Sequence, residues 1–432
     1  MPFHSRPRRL AQAALTVALV AFLAACGQQH PESVFHGRTD FNRDVDFLFK
    51  VLIYAGTAVF IFVEGILVLT LIKFRKRPGQ PEPEHVHGNT TLEIAWTVIP
   101  LLILIMIGIP TVRTIFKTEA AARSDALQVE VVGHQWWWEF RYPQYTRTEP
   151  SGKVDTVVTA NELYLPIGKT VNFTLHSKDV IHSFWIPALG GKRDVVTNHT
   201  NYLWMTPDST GPDEFNGACA EYCGTSHGNM RFRAFTVSQA DFDSWIAHQE
   251  QPAVGTAPAA PPVSADSTKK PAAATVAAAA PMPATPVEQA GFIAFPSDKV
   301  PEYAIPHTPL PAGLTFDDNL LGKGDPANGA KLMAGQGGCL ACHAIAGNPM
   351  MVGNIGPNLT HVASRYTIAG GLYPNDARHL ARWIKNARVM KGGVIMTTIG
   401  MGQYDPILKM TMTSGLTDQQ IADVVAYLQT LK

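Results

Sequence analysis

The sequence predicts a three-part chain: a two-helix transmembrane hairpin, then an all-β domain built as a sandwich or Greek-key barrel, then an all-α domain beyond a spacer. Three observations predict it. Two long apolar stretches flank a basic cluster near the N-terminus, short period-two runs fill residues 127–237, and amphipathic 3.6-period patterns fill the last hundred or so residues. At 432 residues, the length suits about three units.

Residues 51–72 carry a single charge, Glu64, and would span about 33 Å as a helix. Lys73, Arg75, Lys76 and Arg77 follow at once, and a second stretch, 94–112, holds Pro100 and Pro110 and no charge. A basic cluster between two spans places that loop in the cytoplasm, with the N-terminus and everything after Arg113 outside. The hairpin is bounded at 47–116, with helices at about 50–72 and 94–115. Glu64, in mid-span, should face protein rather than lipid. Ahead of the hairpin, Arg6, Arg8 and Arg9 precede an apolar run over 10–25 that is too short to span. Residues 1–25 therefore read as an export signal. It ends in Leu23-Ala24-Ala25-Cys26-Gly27, which resembles a lipobox, where Cys26 is lipidated and becomes the mature N-terminus. A plain signal peptide cut nearby is the alternative. A lipoprotein-type signal implies a two-pass protein of a bacterial inner membrane, its later domains on the periplasmic side.

The β domain is bounded at 126–247. Alternation at 127–132, 154–158 and 170–175, with turn residues Pro143, Gly152, Gly168, Pro207 and Gly211, gives short strands at regular spacing. Over 251–286, 21 of 36 residues are Ala or Pro, a composition that cannot bury a core and acts as a semi-stiff tether, assigned to 251–290. As a flexible coil its ends would lie roughly 35 Å apart. Such a tether predicts that cutting it makes transfer between the domains depend on concentration and salt. The helical domain is bounded at 320–432. Its expected helices are 326–335, an amphipathic 376–389 with Leu380, Trp383, Ile384 and Ala387 on one face, and a last one opened by Thr417.

Thirty-five basic residues balance thirty-five acidic ones, so charge gives no hint of nucleic acid as a partner. The chemistry sits in the five cysteines. Cys339, Cys342 and His343 form the run CLACH, in which two thiols at i and i+3 can bond both haem vinyls and put an imidazole on the iron. The run CAEYCGTSHGNM concentrates Cys219, Cys223, His227 and Met230. Soft sulfur ligands select copper, a weak thioether suits electron transfer, and two cysteines can bridge a copper pair. A further strong ligand must come from elsewhere, and His182, at a strand end, is the best candidate. Structural zinc on two Cys and two His is the alternative, but leaves Met230 idle. No hydrolytic or group-transfer constellation accompanies these motifs.

Residues 127–237 resemble the periplasmic copper A domain of cytochrome c oxidase subunit II, a cupredoxin-like Greek-key fold. The resemblance implies copper A ligation by His182, Cys219, Cys223, His227 and Met230 and by the backbone carbonyl of Glu221. It also implies magnesium on the Glu221 carboxylate at the interface with subunit I. Gly133-His-Gln-Trp136-Trp-Trp matches the family's aromatic segment, whose first tryptophan, here Trp136, takes electrons from soluble cytochrome c; Trp137 and Trp138 read as buried anchors. The hairpin resembles the family as well, and implies that Glu93, in Leu92-Glu-Ile-Ala-Trp, marks the mouth of a proton path into subunit I; an interfacial carboxylate favoured by the helix dipole is the other reading. The family's Lys-x-Asp is present as Lys192-Arg-Asp194, but the Pro-Gly-Arg that usually follows is missing.

The C-terminal domain resembles a class I cytochrome c. In such domains fused to this subunit the sixth iron ligand sits in Lys-Pro-Gly-x-x-Met-Pro, and Lys391-Gly-Gly-Val-Ile-Met396-Thr fits in register without the prolines. Met410 and Met412 compete with Met396. Gly356-Pro357-Asn358-Leu359 resembles the loop whose carbonyl steadies the proximal histidine. Together these resemblances imply a caa-type oxidase subunit. Electrons from cytochrome c would pass through haem c and binuclear copper A to haem a in subunit I, for O2 reduction to water coupled to proton translocation, with subunit III in the complex. A nitric oxide reductase subunit and a non-catalytic membrane-bound shuttle are the alternatives.

Overall fold

The computed structural model describes residues 16–17, 33–35, 37–80, 87–119, 124–148, 154–208, 211, 213–253, 295 and 306–432. Cys26, the signal segment apart from residues 16–17, and residues 254–290 of the tether lie outside them.

Helices α1 (Asp40–Lys73) and α2 (Thr90–Glu119) form the hairpin and are longer than the apolar runs that announced them. Within the chain most of their apolar residues are exposed, Phe41 at the start of α1 being buried. The extra turns of α1 leave the apolar zone and dock on the β domain. Thr39 caps the helix by accepting the Asn42 N–H at 3.0 Å, Asn42 donates to the Pro187 carbonyl at 2.7 Å, and Asp40 accepts the Thr206 N–H at 2.9 Å. Arg193 pairs with Glu119 at 2.6 Å, while Lys117 and Asp44, at 2.5 Å, join the two helices to each other. These contacts set the β domain against one end of the hairpin.

The β domain is a two-sheet sandwich. One sheet holds β1 (Leu127–His134), β2 (Trp137–Thr148), β3 (Val154–Ala160), β5 (Val171–Ser177) and β8 (Asn201–Met205), in the order β3-β2-β1-β5-β8. The other holds β4 (Glu162–Pro166), β6 (His182–Trp185), β7 (Arg193–Val195), β9 (Asp213–Cys219) and β10 (Arg231–Val237), in the order β4-β10-β9-β6-β7. Pairs β1–β5 and β4–β10 are parallel and the rest antiparallel, so the chain crosses between sheets in Greek-key fashion. Trp138, Phe140, Phe184 and Phe232 fill the space between the sheets, Phe184 stacking on Phe232 at 5.1 Å. Gly217 is required opposite them, because a Cβ there would come within 2.1 Å of Phe232. Helix α3 (Gln239–Gln249), capped by Ser238, closes the domain.

The C-terminal domain packs α4 (Pro326–Ala334) across α7 (Asp418–Leu428). Gly329 permits the crossing, since a Cβ would lie 2.1 Å from the Asp423 carbonyl oxygen. Two expectations change here. The amphipathic pattern over 376–389 is two helices, α5 (Ala377–Lys385) and α6 (Ala387–Met390), broken at Asn386. The Asn386 side chain accepts from the Val389 N–H and donates to the Tyr404 carbonyl, offering the backbone an alternative to continuing the helix. The domain also begins before residue 320: Leu314 and Phe316 lie in its core.

The two globular domains are in contact. Glu162 on β4, 4% exposed, accepts the backbone N–H groups of Tyr366 and Thr367 at 2.6 and 3.2 Å. Phe235 meets the Tyr366 ring at 5.4 Å, and the His248 and His361 rings lie 4.7 Å apart. The tether's two ends cross this seam. Ala253 packs in the core of the C-terminal domain, whereas Phe295 packs against Phe235 of the β domain at 5.1 Å.

Candidate electron-transfer centres

The first centre is made by one hairpin and one neighbouring strand. Strands β9 and β10 pair antiparallel, and the connection between them carries Glu221, Cys223, His227 and Met230, with Cys219 closing β9. Cys219 donates its N–H to the Met230 carbonyl at 3.0 Å, which pins both ends of the loop. Strand β6 runs beside β9 with Phe184 opposite Cys219, so its first residue, His182, lands at the mouth of the loop.

The donor atoms converge. Cys219 Sγ and Cys223 Sγ are 3.7 Å apart; His182 Nδ1 is 3.9 Å from Cys219 Sγ, and His227 Nδ1 is 3.6 Å from Cys223 Sγ. Met230 Sδ lies 3.8 Å from Cys223 Sγ, and the Glu221 carbonyl oxygen 3.2 Å from Cys219 Sγ. All six donors predicted from sequence therefore meet at one place. Each imidazole faces a different thiol, which is the layout two ions bridged by both sulfurs require; a single tetrahedral ion would draw all four groups to one point. Hydrogen bonding to Cys223 lowers the Cys219 thiol to about 4 against the opposing effect of burial, while the same contact raises Cys223. The residues present fit a soft metal pair.

Around these donors stands a set the motifs did not reveal. His182 turns its Nε2 to Asp179 Oδ1 at 2.8 Å, which fixes the ring with Nδ1 toward the sulfurs. Asp179 also accepts the Gln135 N–H at 2.7 Å. Gln135 Nε2 and Trp136 Nε1 both donate to the Cys223 carbonyl, at 2.8 and 3.0 Å. The signal for Asp179 was only its place three residues before His182.

The second centre is the 3-10 turn Cys339–Ala341 and the two residues after it. Cys339 and Cys342 are free thiols, and His343 Nδ1 lies 2.8 Å from the Pro357 carbonyl, leaving Nε2 for an iron. A Cβ on Gly356 would sit 2.6 Å from His343 Cε1, so that loop needs glycine. Burial lowers the His343 pKa, which keeps the ring neutral and able to ligate. Met396 lies in the loop after Lys391 and is half-buried. Met410 belongs to a two-residue strand, Met410–Thr411, and is 50% exposed.

Glu93 stands exposed in the first turn of α2. Trp136 is buried beneath the C-terminal domain, where Lys391 Nζ donates to its carbonyl at 2.7 Å.

Family models match this chain in three successive pieces. They are the transmembrane domain of cytochrome c oxidase subunit II over residues 36–114, its periplasmic domain over 127–237, and cytochrome c over 326–432. Cytochrome c oxidase subunit 2 of Alkalihalophilus pseudofirmus is 27% identical over 391 residues, covering 89% of this chain and 86% of that protein. The probable cytochrome c oxidase subunit 2 of Rickettsia bellii is 36% identical over 215 residues, 46% of this chain and 77% of that protein. The chain belongs to the cytochrome c oxidase subunit 2 family. Among solved structures, the periplasmic domain of subunit II of cytochrome oxidase from Bradyrhizobium japonicum aligns at 28% identity, covering 30% of this chain and 97% of that one, with a TM-score of 0.25.

Membership makes this subunit 2 chain a membrane protein with a periplasmic domain, and part of an oxidoreductase that associates with subunit I. Its periplasmic domain implies copper A and its cytochrome c domain implies haem, in agreement with the donor set above.

Proposed function

We propose that this chain is the electron-accepting subunit of a bacterial terminal oxidase. When bound, haem c and binuclear copper A supply one-electron oxidation and reduction between donor cytochrome c and haem a of subunit I, where O2 is reduced to water with proton translocation. Cys339 and Cys342 would hold the haem covalently, with His343 and Met396 on its iron; a His/Met pair raises the potential, as a donor at the oxidising end needs. His182, Cys219, Cys223, His227, Met230 and the Glu221 carbonyl would hold the copper pair. Exposed Glu221 is free to share magnesium with subunit I, and Glu93 to admit protons from the cytoplasmic side. Cys26 would carry the lipid, both globular domains would lie in the periplasm, and subunit III would complete the assembly.

The observation that carries this reading is the approach of two cysteine sulfurs to 3.7 Å with a separate imidazole on each. The test is elemental analysis with an oxidised-minus-reduced spectrum of the purified membrane complex. Two coppers per chain beside one covalent haem are expected. Zinc, or no metal, at Cys219 and Cys223 would overturn the reading.

A further inference from the structure

Lys391 lies in the segment leading to Met396, and its ammonium reaches the copper domain at the Trp136 carbonyl. The residue is 2% exposed. Lysine is almost never buried to that extent without partners, because removing an ammonium from water is costly. The partners are two carbonyl oxygens on opposite sides of the seam, Trp136 O at 2.7 Å and Ala369 O at 3.0 Å. On either side the seam is close-packed. Ser226 Oγ donates to the Gly392 carbonyl, and the Arg231 N–H donates to the Gly370 carbonyl at 3.2 Å. Gly393 lies so close that a Cβ would come within 3.1 Å of the Trp136 ring and 3.0 Å of Thr225 Cβ; its φ of +84° also favours glycine. The same indole donates Nε1–H to the Cys223 carbonyl at 3.0 Å. One aromatic ring therefore separates the Met396 loop from the backbone of a copper-binding cysteine.

We propose that Lys391 is a positioning residue: its ammonium ties Trp136 of the copper domain to Ala369 of the haem domain and so seats the Met396 loop on the Trp136 ring. The proposal deepens the function given above and rests on it for the electron-transfer readout alone. It assigns the covered Trp136 to the chain's own haem domain, so an external donor reaches this subunit through haem c.

Two measurements on the purified complex test it. Flash reduction of haem c gives the rate of haem-to-copper transfer, and direct reduction of copper gives the onward rate to subunit I. Lys391→Met keeps an unbranched apolar stem, one atom shorter, and removes the donors. It is expected to slow the first step about tenfold or more and leave the second unchanged, because a loosened seam lengthens only the crossing. An unchanged first step overturns the proposal, as does equal slowing of both steps, which would assign Lys391 to the copper potential. The second measurement needs neither metal. After proteolytic cutting of the tether between residues 254 and 294, the haem fragment should stay with the wild-type complex on gel filtration and leave the Lys391→Met complex. Equal retention of the fragment by both overturns the proposal even if no copper is found. Should Lys391→Met fail to assemble, Ser226→Ala on the same seam takes its place. It is expected to slow the first step several-fold, and a wild-type rate there overturns the proposal.

Discussion

The copper and haem regions are assembled in opposite ways. Every proposed copper donor comes from β6, the end of β9 or the loop before β10, so a single sheet fixes all of them. The proposed haem attachment residues instead come from a three-residue turn and the two residues after it, the proximal support from Pro357, and the proposed sixth ligand from a glycine-containing loop whose seat is the other domain. A rigid frame specifies the first centre within its own domain. The second depends on loops that its own small core does not hold alone.

Removing one bridging sulfur should have the largest effect. Cys223→Ser is expected to abolish copper binding and oxygen consumption while the covalent haem spectrum stays intact; metal analysis and oxygen uptake of the same preparation check both halves. Retained copper would break the contrast between the centres. Asp179→Asn should follow, since it keeps the size of the group that orients His182 and removes its charge. Loss of such outer support costs roughly 10–100-fold in metal affinity, which a competition titration with a copper chelator reads directly.

Met396→Leu tests the looser side. If Met396 ligates the iron, the substitution lowers the haem potential and slows reduction of copper, whereas Met410→Leu and Met412→Leu leave the potential where it was. Redox titration of the three variants ranks them. A drop only with Met410→Leu or Met412→Leu would move the sixth ligand to the far end of the domain.

How much of this was legible follows from sequence distance. The copper loop writes its donors within twelve residues, so soft-ligand chemistry names them, and the haem turn is five consecutive residues. The helices were legible as apolar runs, but not the turns of α1 beyond them, because Phe41 and Asn42 are held by the β domain rather than by lipid. The break at Asn386 was hidden because hydrophobic periodicity runs straight through it. Trp136 was legible as a place where a fused haem domain could meet the copper domain, but the part of Lys391 was not: the two are 255 positions apart, and a lysine in a glycine-containing loop normally reads as solvated surface.

The seam also carries a pH signature. Burial raises Glu162 from 4.5 to about 7, against the Tyr366 and Thr367 N–H groups and Arg365, which favour its ionised form. A carboxyl group whose folded value lies above its unfolded one binds its proton more tightly when folded, so stability falls as pH rises from about 4.5 to about 7 and is level above that. The shift corresponds to about 3 kcal/mol at most. Glu162→Gln should flatten that slope in thermal melts followed at the haem band; Glu214, also raised to about 7 by burial, keeps a slope of its own.

The smallest effect is expected from cutting the tether, and it bears most directly on the comparison. A tether matters where two domains separate and meet again, because it then supplies an effective concentration of order millimolar. Here Ala253, just after the copper domain, packs in the haem domain, and Phe295, just before the haem domain, packs in the copper domain. His361 Nε2 lies 3.1 Å from the Gln251 carbonyl, holding the first end in place. Both ends of the segment are thus pinned at the seam it was expected to bridge by diffusion. Cleavage between residues 254 and 294 should leave haem-to-copper transfer within about twofold of the intact complex, and equally fast after dilution or at high salt, because buried contacts are screened little. Transfer that slows with dilution and salt after the cut would mean that the domains meet by tethered collision, and that the haem centre's looseness extends to the whole domain.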